Sequence, residues 1–128
     1  MADATPSFRQ EVQELLLVAI GAVPGALLRW QFGVVLNDRD VLANVLGSLI
    51  LGVLVGLPYR PRVQVLVGIG FCGSFTTFSS WMVNSVDLIY QGRPMAAVGL
   101  IGLTLGLGIG AAWVGNLFGR WASRQANT

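Results

Sequence analysis

The chain has 128 residues, 54% hydrophobic and 11% charged, with a mean hydropathy of +0.68. A soluble domain carries about 25% charged residues, so the composition points to one integral membrane domain and away from a soluble core. The net charge of +2 comes with eight arginines, no lysine and no histidine, which leaves no basic patch for nucleic acid; one cysteine without histidine leaves no His/Cys metal site within one chain.

Residues 1–14 are polar and hold three acids, unlike the basic start of a signal peptide, so the first apolar run is expected to stay in the mature protein. That run extends from Leu15 to Leu36 and is broken by Pro24 and by one charge, Arg29. The second, Val41 to Leu57, has 17 residues and no charge; as a helix it spans about 25 Å. The third covers Val63 to Val86, and the fourth, Met95 to Phe118, has 24 uncharged residues. Short polar links rich in Asp, Gly and Pro join them: Asn37 to Asp40, Pro58 to Arg62, and Gln91 to Pro94. The expected fold is an all-α membrane protein, residues 1–128 forming a single up-down-up-down bundle of four transmembrane helices, with spans at 15–36, 41–57, 63–86 and 95–118.

Orientation is weakly coded. The N-terminus, the second loop and the C-terminus share a side that holds Arg9, Arg60, Arg62, Arg120 and Arg124. Arg39 and Arg93, with Arg29 if it reaches the interface, lie on the other. Such a thin bias favours a cytoplasmic N-terminus only slightly and is compatible with both orientations being made. Small residues stripe the helices: Gly21 and Gly25, Gly52 and Gly56, then Gly99, Gly102, Gly106 and Gly110. Any one pair is explained by packing within the chain, but so many small faces suggest a second subunit.

The third run is the least helical in its middle. Gly70 and Gly73 flank Cys72, and Thr76, Thr77, Ser79 and Ser80 follow closely. Glycine weakens a helix interior, and hydroxyls compete for its backbone. In hydrocarbon a backbone that leaves the ladder must be satisfied by protein, water or an ion. The segment therefore reads either as a site or as a membrane helix whose hydroxyls bond back to their own carbonyls. Cys72, alone in an apolar run, reads as a packing residue.

Few groups remain for chemistry. Arg29 is the one full charge well inside a span; it is either functional or snorkels to the interface. Asn44 and Ser48 share one face of the second helix, and Thr104 is the only hydroxyl of the fourth run. No carboxylate or histidine lies mid-span, as a proton-coupled exporter needs. No general base is available to activate a nucleophile, so the chain is not expected to be an enzyme. Hydroxyls, amides and the edges of Phe75, Phe78 and Trp81 suit a small anion, although core packing also explains the aromatics.

Gly-Phe-Cys-Gly-Ser-Phe-Thr-Thr-Phe-Ser-Ser-Trp, Gly70 to Trp81, resembles the third-helix signature of the Fluc/CrcB fluoride channels, G-F-x-G-G-x-T-T-F-S-T-F. Gly21-Ala-Val-Pro-Gly-Ala-Leu-Leu-Arg-Trp30 resembles the family's first-helix G-x-x-x-G-A-x-x-R-[WY]. Asn44-Val-Leu-Gly-Ser48 followed by Gly52 resembles its second-helix pattern N-x-x-G-[SA]. The resemblance implies an antiparallel dual-topology dimer in the bacterial inner membrane, with broken third helices meeting at its centre. It implies one structural Na⁺ there, held by the carbonyls of Gly73 and Thr76, and two pores that let F⁻ leave the cytoplasm passively.

By motif position Asn44 and Phe78 line a pore, Ser79 and Ser80 form a hydroxyl track, and Arg29 stands near a mouth. Trp81 replaces a pore phenylalanine, Ser74 a glycine beside the break, and Leu100 a tyrosine; Thr104 keeps the hydroxyl that follows it. Because some members are heterodimers, the partner is a second copy of this chain or a paralogous subunit. A small proton-coupled multidrug exporter and a partner-dependent, non-conducting subunit are the alternatives.

Overall fold

The computed structural model describes residues 4–128; Met1 to Asp3, the start of the polar N-terminal stretch, lie outside the described residues. Every regular element among the described residues is a helix, with no strand among them. Helix α1 runs from Phe8 to Val35. It begins ahead of the apolar run because Ser7 and Gln10 cap it reciprocally: Ser7 Oγ accepts from the Gln10 N–H at 3.3 Å, and Gln10 Oε1 accepts from the Ser7 N–H at 3.0 Å. Pro24 does not break it. Proline deletes one ladder bond, while Gly21 and Gly25 seat the flanking turns against the third helix and hold the axis.

Helix α2 spans Val41–Gly56. Asp38 caps it, its carboxylate accepting from Leu42 and Ala43 N–H at 3.0 Å each. Helix α3, residues 61–75, opens on Pro61 and widens to π-type turns from Gln64 to Cys72. Thr76 then adopts an extended backbone, φ −88° and ψ 159°. Helicity resumes as α4, Ser79–Tyr90. A turn with Gly92 at φ 73° leads to α5, Pro94–Ala126, 33 residues long.

The bundle packs backbone to backbone. A methyl group on Gly21 would meet the Leu66 carbonyl of α3, and one on Gly70 would meet the Val18 carbonyl of α1. On the other side, Gly52 and Gly56 of α2 press on Ala112 and Asn116 of α5, while Gly115 and Gly119 press back on Leu49 and Val53. A methyl group on Gly99, Gly102, Gly106 or Gly110 would meet no other part of the described residues within 4 Å. Few apolar side chains are buried, Phe75, Trp81 and Leu88 among them, while Val23, Leu27, Ile109 and Trp113 face outward. That distribution suits lipid rather than water. Residues 8–35, 61–90 taken across the break, and 94–126 are long and apolar enough to cross a bilayer, and Val41–Gly56 is a shorter apolar helix. The chain is a multi-pass membrane protein.

Gly52→Ala should destabilise the fold by about 1–3 kcal/mol, because its new methyl overlaps the Ala112 carbonyl. Gly33→Ala, which meets nothing within 4 Å, should cost nothing. Circular dichroism of denaturant unfolding in detergent micelles would measure both.

Candidate functional site

Thr76 closes α3 twice over: its N–H and its hydroxyl both donate to the Cys72 carbonyl, at 3.0 and 2.7 Å. In an unbroken helix the Thr77 N–H would go to Gly73. It goes instead to Asn44 Oδ1, at 2.8 Å, while Asn44 Nδ2 donates to the Thr77 carbonyl at 3.0 Å. One side-chain amide thus replaces both backbone partners that Thr77 has lost. The Thr77 hydroxyl accepts from the Ser80 N–H at 3.3 Å and so starts α4. On α2, one turn beyond Asn44, the Ser48 hydroxyl donates to the Asn44 carbonyl at 2.8 Å.

Beside this splice lies an open groove of about 400 Å³, with Asn44, Thr77, Phe78, Trp81 and Thr104 in its walls and no charged residue lining it. Phe78 is 72% exposed, whereas Trp81 is buried; their rings meet edge to face, centroids 5.9 Å apart. The Trp81 indole N–H donates to the Thr104 hydroxyl at 3.1 Å, and the Thr104 hydroxyl in turn donates to the Leu100 carbonyl at 2.6 Å. Most donors of the groove are therefore engaged. Among the described residues, the second amide hydrogen of Asn44 and the Thr77 hydroxyl proton find no protein acceptor. An incoming anion must draw the other hydroxyls off helix carbonyls, each exchange involving a bond of about 0.5–1.5 kcal/mol net.

The remaining expected residues scatter. Ser79 is exposed and lies outside the groove lining. Ser80 turns its hydroxyl to Asp40 at 2.6 Å, so its proton is spoken for. Arg29 is half-buried, and Nη1 makes a long bond of 3.5 Å to the Thr76 carbonyl. It reaches the helix break. Phe75 sits in a buried aromatic cluster, edge-on to Phe32 and stacked with Phe71, rather than in the groove.

Gly73 and Thr76 border a second groove of about 260 Å³, which shares Asn44, Ser48 and Thr76 with the first. The Gly73 carbonyl has lost its helical donor, since Thr77 N–H turns to Asn44. Among the described residues no group of three His, Cys, Asp or Glu side chains gathers, so a cation here would rest on oxygen dipoles. The two carbonyls of one chain fall short of the oxygen shell a hard cation needs.

Two positions were not singled out by the sequence. Thr77 works through its backbone, which side-chain chemistry does not advertise. Asp40 sat among turn residues as one breaker of several, although an acid beside the start of an uncharged run was the available signal.

A family profile described as "CrcB-like protein, Camphor Resistance (CrcB)" matches residues 16–116. A protein of Synechococcus sp. (strain CC9902) named Fluoride-specific ion channel FluC 2 is 62% identical, over 89% of this chain and 85% of its own length. The protein of the same name from Prochlorococcus marinus (strain MIT 9313) is 55% identical over 98% of this chain and 97% of its own. A Fluoride-specific ion channel FluC 1 from a second strain of Prochlorococcus marinus is 38% identical over 72% of this chain and 70% of its own. These relatives carry the name of an ion channel, not of an enzyme. With a profile match that runs from the first helix into the last, the chain belongs to the CrcB family.

Proposed function

We propose that the chain forms a passive, fluoride-selective channel, a dual-topology dimer of two antiparallel copies in the bacterial inner membrane that lets F⁻ leave the cytoplasm. The observation that carries this is the uncharged, donor-lined groove at the helix break, in a chain 62% identical to a protein named a fluoride-specific ion channel. Fluoride is small and strongly hydrated, so a pore must replace its water with many donors. Asn44 and Thr77 supply the donors that are free, and Thr104 and Trp81 supply donors that exchange. Phe78 offers the positive edge of its ring. Without a fixed cation in the lining the ion is not trapped.

The open Gly99 to Gly110 face of α5 supports a second subunit. A structural Na⁺ held by Gly73 and Thr76 from both copies would satisfy carbonyls freed by the break; the Thr76 carbonyl also accepts a long bond from Arg29 Nη1. A paralogous partner in place of the second copy is the other reading, supported by relatives numbered FluC 1 and FluC 2. Family membership displaces the multidrug-exporter alternative.

Liposomes holding this chain alone should release F⁻ quickly and retain Cl⁻, as read with ion-selective electrodes. Absence of release from well-folded protein would favour the form that needs a paralogous partner. Asn44→Asp removes the donor to the Thr77 carbonyl and sets a negative acceptor in the groove; flux should fall by about ten- to a hundred-fold. Unchanged flux would remove Asn44 from the path. Phe78→Ile loses the ring edge but little volume, so flux should fall while the dimer still elutes as one species on gel filtration.

A further inference from the structure

Asp40 does work that neither the capping of α2 nor the groove requires. It stands at the N-cap position of α2, yet its side chain caps nothing. Asp38 does that instead. Asp40 holds a left-handed backbone, φ 68° and ψ 5°, a conformation a non-glycine residue adopts at some cost. The residue is only 9% exposed. Its Oδ2 accepts from the Ser80 hydroxyl at 2.6 Å and from Asn84 Nδ2 at 2.9 Å. Ser80 and Asn84 are four apart, so both lie on one face of α4. Its backbone carbonyl accepts the Asn44 N–H at 3.1 Å. One residue therefore grips α4 and, through the backbone, the turn of α2 that carries the groove's amide.

We infer that Asp40 is a positioning residue that latches the start of α4 to the start of α2 and so sets the spacing between Asn44 and Trp81 across the groove. Trp81 follows Ser80 in the same turn, and its indole reaches α5. With Asp40 on one side and Thr104 on the other, the first turn of α4 cannot rotate about its axis. Both donors to Asp40 are neutral, so the carboxylate serves as an acceptor rather than as half of an ion pair. An asparagine keeps an acceptor oxygen with two lone pairs and tolerates the left-handed backbone. It loses the charge and keeps the latch.

This inference rests on the proposed fluoride flux, and the test separates the two. If the parent chain conducts no fluoride, the functional proposal fails, and the structural arm still decides the latch. In liposomes, Asp40→Ala should lower F⁻ flux about ten-fold or more, while Asp40→Asn stays within about three-fold of the parent. In the structural arm, the Trp81 indole ¹⁵N–¹H resonance is assigned by its loss in Trp81→Phe. It should shift in Asp40→Ala and hold its place in Asp40→Asn. If Asp40→Ala does not fold, the double variant Ser80→Ala with Asn84→Ala takes its place with the same expectation. Equal effects of the two Asp40 substitutions on a conducting chain, or an indole resonance unmoved by loss of the latch, would overturn the inference.

Discussion

The pair of hydrogen bonds between Asn44 and Thr77 is the constraint on which the rest depends. A helix cannot stop inside hydrocarbon unless the groups it frees find partners. Here one amide meets both demands, donor for acceptor and acceptor for donor. Its position is inherited: Asn44 rides on α2, and α2 is set against α5 by glycines that leave no room for a methyl group. The close packing of one helix pair thereby decides whether the break in another is tolerated. The small residues are part of the site in this sense, although they lie turns away from it.

The groove sets polar groups in a largely apolar wall without any charge, and its donors are mostly committed. Thr76 and Thr104 each return their proton to a carbonyl four residues back in their own helix, and Trp81 gives its N–H to Thr104. These are bonds between neutral groups at modest cost, which an anion outcompetes because hydrogen bonds to charged groups are stronger. The closed donors keep the polar wall satisfied when no ion is present. A lining of arginines would hold an anion more tightly and release it more slowly.

The coarse fold was legible because hydrocarbon demands long apolar runs and the four runs are cleanly punctuated. The helix ends were less so. Ser7 and Gln10 carry α1 well outside its apolar stretch, and Arg120 and Arg124 ride on the continuous α5. Pro24 looked like a break and is not one, because neighbouring glycines hold the turns on either side. The site was legible in part. Asn44, Phe78, Trp81 and Thr104 come together around one groove, whereas Ser80 is diverted to Asp40 and Phe75 to an aromatic cluster. Those diversions depend on tertiary neighbours far along the chain, Asp40 and Phe32. No local spacing rule encodes them.

The helices of this bundle measure the membrane with different rulers. Helix α2 has 16 residues and α5 has 33, so they are about 24 and 50 Å long, against a hydrocarbon thickness of about 30 Å. They are fastened together along the C-terminal half of α5, at Ala112, Gly115, Asn116 and Gly119, so neither can tilt to fit without carrying the other. Thinning or thickening the bilayer therefore loads the seam between them rather than either helix alone. Because α2 also carries the amide that splices the break, lipid chain length becomes a mechanical input to the groove.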